Sequence, residues 1–530
     1  MSSRIDEQHY DSANIAESYS GIVLPLTCSF ASMVYAQVYM DLLAASGISR
    51  AKIDRHRSIF ENLLAFFYGR MYYHMNSWYR MAEFAPGYTR NKRNFERMIT
   101  SNVASDVRQS IHPSLAYRLA YPLIILYKAL MFDRTCRTFD RQTRAHLEAL
   151  RQTDFSKHDY AACLSLFERF NQDLLRRWYI TVENDFFVMT YLGMLEKLIP
   201  KEELQERIRF SSKATEQVDA LMRLSAHMKG KPDLWDAVMS DDYGRFEAAL
   251  EYSPEVRNER ESYLRTFGGR FANELKLESV GADEDLGKLF ALMRAYADGV
   301  KRAVVKAAQL PKLSYLADRA LGGFRKYAGR REEFRLLRSN TFAMARRMFK
   351  RMGALLVESG AIVQADDVFY LTTDELLRED APHDQTLRQR VEERKRAYEG
   401  YARVAPPAHF SLVEGEEVPL AVPVSALALT GKPASPGKVT GRVRVFREFS
   451  MPEQQDFDIL VTAHTDPGWT ALIALSKGMI IEHGGVLSHA SIVARELGIP
   501  AVIGATGAMD ALTDGQIVTI DGATGSITLT

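Results

Sequence analysis

The chain has 530 residues, with 68 Lys plus Arg against 67 Asp plus Glu for a formal net charge of +1, and it is 46% hydrophobic and 25% charged. That length suits two to four domains with a large buried core, and the balanced charge excludes the global field that marks nucleic-acid and membrane-surface binders. The three cysteines, Cys28, Cys136 and Cys163, lie far apart without Cys-x-x-Cys or Cys/His ligand spacing. Neither a disulfide framework nor a metal site is expected, and a reducing cytoplasm fits best.

The N-terminal MSSRIDEQHYDS lacks a basic stretch followed by an apolar one, so it does not read as a signal peptide. Residues 14–403 are rich in Leu, Met, Arg, Glu and aromatics at helical spacing, which predicts a mostly α-helical region. Its most apolar windows, 31–45 and 119–132, are interrupted by Gln37 and Asp41 and by Lys128. Both fall short of the ~20 clean apolar residues of a spanning helix and are expected to be buried helices. The aromatic run 66–79 is expected to be helical core, with a pocket for a bulky apolar acceptor as the alternative. In 342–357, Met344, Met348, Met352, Leu355 and Leu356 share one helical face, and Arg346, Arg347, Lys350 and Arg351 populate the other. Gly360 is expected to end that helix, residues 368–371 to be extended, and Thr372-Thr373-Asp374-Glu375 to open another helix as a capping box.

Composition then changes. Pro406, Pro407, Pro419, Pro423, Pro433 and Pro436 punctuate the next stretch. The expected organisation is a mostly helical domain over 1–405, a Pro-rich linker over 406–428 and a compact α+β module over 429–530. Within the module, strands are expected near 441–446, 459–462, 479–482, 501–503, 516–520 and 526–529, with one helix near 489–497.

Chemistry concentrates in Gly484-Gly485-Val486-Leu487-Ser488-His489. The two glycines form a flexible approach, Ser488 is placed to cap a helix, and His489 stands in its first turn. A helix N-terminus gathers unpaired N–H groups and the positive end of the dipole, so a phosphoryl group on an imidazole there is stabilised. This position is expected to leave the ring exposed as a neutral nucleophile near pH 7. The plainer alternative is an ordinary cap histidine. His464 and His483, in the same module, read as solvated loop residues.

The run GGVLSHASIVARELGIPAV resembles the signature of the swivelling phosphohistidine domain of phosphoenolpyruvate-utilising enzymes. Gly431-x-x-Ala434-Ser435-Pro436-Gly437, Thr465-Asp466-Pro467-x-Trp469-Thr470, Asp514-Gly515 and Asp521-Gly522 agree with it. Asn14-Ile15-Ala16-Glu17 with Leu24-Pro25-Leu26-Thr27, and Asp367 to Thr372 with Glu375-Leu376, resemble the two ends of a helical substrate-binding domain. These are more similar to the rifampicin phosphotransferase branch than to the dikinases.

The resemblance implies a large, mostly α-helical substrate-binding domain followed by a small α+β swivelling phosphohistidine domain. His489 would carry the phosphoryl group, with Ser488 beside it in the catalytic set, Gly484, Gly485, Thr465 and Asp466 supporting the phosphate and its loop, and Asn14 and Glu17 binding the substrate. Arg331 and Arg335 resemble an Arg-Glu-x-x-Lys stretch whose Arg and Lys handle phosphate and remove the acceptor's proton. Their i, i+4 spacing puts both on one helical face. Arg335 replaces the Lys, and an Arg that stays protonated is a poor base. The alternative is a solvated basic face.

Members of the family normally carry an N-terminal ATP-grasp domain, and no G-x-x-x-x-G-K-[ST] loop occurs here. The expectation is therefore that this chain binds no cofactor itself. ATP and Mg²⁺ would sit on a separate ATP-grasp protein, an arrangement similar to phenylphosphate synthase, with a small-molecule acceptor and neither nucleic acid nor membrane as partner. Three other readings stand beside simple phosphoryl transfer: a phosphorylation-driven dehydration, condensation or cyclisation of the acceptor; phosphoenolpyruvate as donor, which would need a pyruvate-handling barrel; and a non-catalytic regulatory homologue. An imidazole walled off from both the loading and the delivery site would exclude the carrier reading.

Overall fold

The computed structural model describes residues 7–85, 111–200, 203–204, 207–208, 213–297, 311–401, 403–404, 406–413, 415–420, 429–452, 456–485 and 488–529. Glu414, 421–428 of the expected linker, the first six residues, and Val486 and Leu487 of the histidine signature lie outside them. The chain is mostly helical up to a C-terminal α/β module. By contacts it forms two compact units: Met1–Met189 with Leu275–Glu278 and Thr341–Ala421, and Thr190–Glu274 with Ser279–Asn340 and Val422–Thr530.

In the first unit, helix α1 (Pro25–Ala45) starts on Pro25, whose missing N–H costs nothing at a helix start. The Glu278 carboxylate accepts from Leu24 N at 2.8 Å and from Thr27 Oγ1 at 2.5 Å, supplying acceptors that the first turn lacks. Phe30 of α1 meets Phe342 and Phe349 edge-on, at centroid distances of 5.3 and 5.7 Å. Both phenylalanines lie on a long helix, Tyr315–Glu358. Met344, Met348, Met352 and Leu356 are buried there as expected, but so is Arg346, at 2% exposure. The two-faced pattern gives way because this part of the helix is enclosed on most sides by the core.

The aromatic run departs from the helical expectation. Strands β2 (Leu64–Phe67) and β3 (Arg70–His74) form a hairpin, and only then does helix Met75–Ala82 begin. Tyr68 and Gly69, at φ of +48° and +69°, make the two-residue turn, a conformation that glycine adopts without penalty. The hairpin joins β1 (Gln8–Asp11) and β4 (His409–Leu412) in a sheet of order β2-β3-β1-β4. Burial of Tyr72, Tyr73, Trp78 and Tyr79 agrees with core packing, on a different element. Residues Ala365–Tyr370 form a short 3₁₀ helix rather than an extended run. The capping box is present: Thr372 Oγ1 accepts from Glu375 N at 3.3 Å, and the Glu375 carboxylate accepts from Thr372 N at 2.8 Å.

Of the window 119–132, only Phe132 is buried among the described residues. In helix Leu115–Arg151, Leu119, Leu123 and Leu130 are 72%, 70% and 69% exposed among the described residues. By length and composition this helix is apolar enough to cross a membrane. Hydrophobicity predicts burial only where another element supplies a partner face; here contacts such as Tyr117 OH donating to Ser46 O at 3.0 Å engage one narrow side.

The second unit is built on seven strands in the order β11-β10-β6-β7-β8-β9-β5. They are β5 (Lys432–Ser435), β6 (Lys438–Phe446), β7 (Ile459–Thr462), β8 (Gly478–Ile481), β9 (Ala501–Ile503), β10 (Ile517–Asp521) and β11 (Ser526–Leu529). The run from β6 to β9 is parallel, and β5, β10 and β11 pair antiparallel. Every residue of β7, β8 and β9 is buried, as central parallel strands covered on both faces require. Ile459, Val461, Ile480 and Val502 point to one core. Leu460, Met479, Ile481 and Ile503 point to the other, with Leu472 and Val493 of the module's own helices and Leu221, Leu289, Phe290 and Leu336 of the preceding helical segments. β5 escaped prediction because Pro433 disguises it, and proline is tolerated only at such a sheet edge.

The loop after β7 packs so closely on residues 271–272 that a Cβ on Gly468 would lie 2.0 Å from Phe271 C and 2.1 Å from Ala272 N. Backbone cannot yield as a flexible side chain can. Gly468→Ala is therefore expected to destabilise the fold by about 1–3 kcal/mol in denaturant titration. A variant as stable as the parent would contradict this packing.

Candidate functional site

Two loops leave the C-terminal ends of the neighbouring parallel strands β7 and β8, the edge where open α/β sheets gather their ligand-binding groups. In the first, Thr465 and Asp466 are buried. The Asp466 carboxylate accepts from Gly468 N at 2.9 Å within the loop and from Asn273 N at 2.5 Å on the segment that follows helix Pro254–Phe267. It thereby fastens the loop to the segment containing Arg270 and Glu274. Thr470 Oγ1, at the start of helix Thr470–Leu475, donates to Pro467 O at 2.7 Å and lies 3.1 Å from His489 Nε2.

In the second loop Gly484 takes a φ of +138°. Gly485 O accepts from Ser488 N at 2.8 Å and from Ser491 Oγ at 2.9 Å. Ser488 is the N-cap of helix His489–Leu497, its Oγ accepting from Ser491 N at 3.4 Å. His489 is the first helical residue, as expected, but its ring is not exposed: the residue is 2% accessible. Local cap geometry fixes where the side chain starts, whereas its burial depends on the long helix Tyr315–Glu358 that comes against it. His489 Nδ1 stands 3.8 Å from Glu332 Oε2 of that helix. The same oxygen is 3.7 Å from Arg270 Nη2, and Glu332 Oε1 accepts from Arg335 Nη1 at 3.1 Å.

The electrostatics follow from burial. Loss of solvent pushes the His489 pKa down to about 3; Glu332 works against the shift, while Arg270, Arg335 and Arg331 add to it. The ring is neutral at physiological pH, the state in which imidazole is a nucleophile. Burial alone would raise the Glu332 carboxyl, but Arg335, with Arg270 and Arg331, holds it below its ordinary value. Glu274 goes the other way. Burial lifts it to about 7, against the pull of Arg270 and with the help of Asp466.

The structure thus gathers His489, Ser488, Arg331 and Arg335 in one unit, with Gly484, Gly485, Thr465 and Asp466 in the loops that support them. Asn14 and Glu17 belong to the first unit, where Asn14 Oδ1 accepts from Tyr73 OH at 3.1 Å and Ile15–Glu17 is a single turn of 3₁₀ helix. His464 is not a solvated loop residue. It stacks on His483 at 4.7 Å, and burial, followed by His483, lowers its pKa to about 3. Sequence reasoning passed over Arg270 and Glu274, and it quoted Glu332 and Thr470 within motifs without giving either a role. The available signal was weak: Gly268-Gly269-Arg270 interrupting a helical region, and an acidic residue between the two arginines.

Residues 454–525 match the family model described as PEP-utilising enzyme, mobile domain. The chain is 28% identical over 338 residues to the rifampicin phosphotransferase of Bacillus subtilis (strain 168), covering 58% of this chain and 39% of that protein. It is 31% identical over 306 residues to a rifampicin phosphotransferase of a Streptomyces species, covering 52% and 35%. It is 38% identical over 189 residues to an uncharacterised protein of Mycobacterium tuberculosis (strain ATCC 25618 / H37Rv), covering 34% and 21%. The chain therefore spans 39% or less of the length of each of these curated relatives.

The Glu274 shift gives a pH signature. Its carboxyl keeps a proton up to about 7 in the folded chain and loses it near 4.5 in the unfolded one, so between these values the folded state binds more protons. Stability attached to this group is complete below pH 4.5 and is lost as pH rises through 7. Glu274→Gln, which cannot ionise, is expected to melt higher than the parent at pH 8, by a margin on the order of 1 kcal/mol, and to match it at pH 4.5. An equal difference at both pH values would contradict the assignment.

Proposed function

We propose, from the PEP-utilising enzyme mobile domain matched by residues 454–525, that this chain is a phosphotransferase component that carries a phosphoryl group on His489 to a small organic acceptor. The donor in this reading is ATP, bound with Mg²⁺ by a separate ATP-grasp protein, and the setting is the cytoplasm. The observation that carries it is the neutral imidazole at a helix start, 3.8 Å from Glu332 and electrostatically coupled to Arg270, Arg331 and Arg335.

The ring is walled in by side chains, at 2% accessibility. In this reading the enclosure, beside the turn that holds Arg331, Glu332 and Arg335, is the docked state of the carrier. Loading requires the module to leave that turn. The unprotonated ring nitrogen then attacks the β-phosphorus of ATP, a P–O bond breaks, and AMP and inorganic phosphate result overall, with water taking up the γ-phosphoryl group. On return, the acceptor hydroxyl attacks phosphorus, the N–P bond breaks, and its electron pair goes back to the imidazole. Arg331 and Arg335 offset the charge that spreads over the transferring oxygens.

The acceptor's proton must go to a base. Arg335 stays charged and cannot take it. Of the carboxylates near the site, Glu274 has the pKa better matched to neutral pH, whereas Glu332 is held ionised by its arginines and is the weaker base.

The test is incubation with ATP and Mg²⁺, with and without a candidate ATP-grasp protein, followed by mass spectrometry for an acid-labile phosphoryl group. The expected result is an adduct on His489 only when the partner is present, and none in His489→Ala. Labelling of the isolated chain would contradict the two-protein arrangement, and labelling of His489→Ala would contradict the carrier.

A further inference from the structure

Buried polar groups are normally hydrogen-bonded, and a cluster that is not needs a physical explanation. Around Glu332 Oε2 such a cluster exists. Arg270 has a fully inaccessible side chain, yet Nε, Nη1 and Nη2 all lack a hydrogen-bond partner among the described residues. Glu332 Oε2 and His489 Nδ1 also lack one. The three side chains face one another across separations of 3.7 and 3.8 Å, beyond the 2.7–3.2 Å of a nitrogen–oxygen hydrogen bond.

Leaving a buried guanidinium without a single hydrogen bond is costly, because each donor forfeits its hydration. A purely structural ion pair would close to bonding distance, as Arg335 does on the other oxygen of the same carboxylate at 3.1 Å. The charge balance points the same way. Among the described residues, the charged groups that act on the His489 ring are the cations Arg270, Arg331 and Arg335 and the anion Glu332, and Glu274, which also acts on Arg270, keeps its proton up to about 7. A site with this excess, and with a forked donor that faces Glu332 beyond hydrogen-bond distance, suits an anion with several acceptor oxygens.

We infer that Arg270 is a phosphoryl-binding residue: its guanidinium donates to the oxygens of the phosphoryl group that His489 carries while the ring is docked beside Glu332. This rests on the carrier reading and extends it to a residue outside the matched mobile domain. Glu332 orients the fork without satisfying it, so the donors remain available to the phosphoryl oxygens.

Inorganic phosphate is the probe. Thermal melts of the full chain are recorded against phosphate, with chloride at matched ionic strength as reference, for the parent, Arg270→Met, Arg270→Lys and His489→Asn. The parent is expected to bind phosphate and melt higher with it. Arg270→Met should bind at least tenfold more weakly, and His489→Asn should still bind, because the anion is held by the guanidinium rather than by the ring. If Arg270→Met does not melt cooperatively, Arg270→Lys carries the test: it keeps a charge for Glu332 but not the fork, and must bind several-fold more weakly than the parent. A parent that ignores phosphate, or Arg270 variants that bind it as tightly as the parent, would overturn the inference. Loss of binding in His489→Asn with retention in Arg270→Met would overturn it as well. A parent loaded from ATP yet indifferent to phosphate would overturn this inference alone, whereas phosphate binding through Arg270 without ATP loading would uphold it and overturn the carrier reading.

Discussion

Enclosing an imidazole among guanidinium groups out of contact with water is the constraint on which the site depends. A protonated ring there would have lost its solvent, the largest effect, and would have only the Glu332 carboxylate to set against three cations, so the ring stays neutral. Neutrality keeps a nitrogen lone pair available, and in the proposed carrier the cations that add to the effect of burial would favour a phosphoryl group on the ring. Glu332 keeps the arginines together, and its own position in the middle of helix Tyr315–Glu358 fixes where the ring can dock.

The sheet supplies the geometry. Because β7 and β8 are adjacent and parallel, both of their outgoing loops emerge at the same edge, and the Asp466 and His489 loops come together without any sequence proximity. Asp466 then ties that edge to Asn273, and Gly468 lets the backbones meet. The Arg270 side chain is placed by this contact rather than by its own local structure. In the proposed carrier, the docking surface and the nucleophile are specified by different parts of the chain.

Sequence reading reached the elements whose signals are local. The strands β6 to β9 announce themselves as short apolar runs between glycine and aspartate turns, and Ser488 marks the start of the helix that begins at His489. The hairpin 64–74 was hidden because a run of consecutive aromatics satisfies helical and strand periodicity alike. Burial of His489 was not readable, since Ser488 and the glycines describe only the approach to the helix. Arg270 and Glu274 were out of reach for the same reason: both act through contacts with segments far away in sequence. Leu119, Leu123 and Leu130 show the opposite error, where apolar character alone suggested a partner that the described residues do not supply.

The most direct test of the account is a nitrogen NMR titration of the histidine rings in the full chain, with His489→Asn to assign the signal. A ring enclosed as described remains unprotonated from pH 8 down to about 4, consistent with a pKa lowered to about 3. Protonation of His489 near pH 6.5, as for a histidine in water, would contradict the enclosed neutral imidazole and with it the docked carrier.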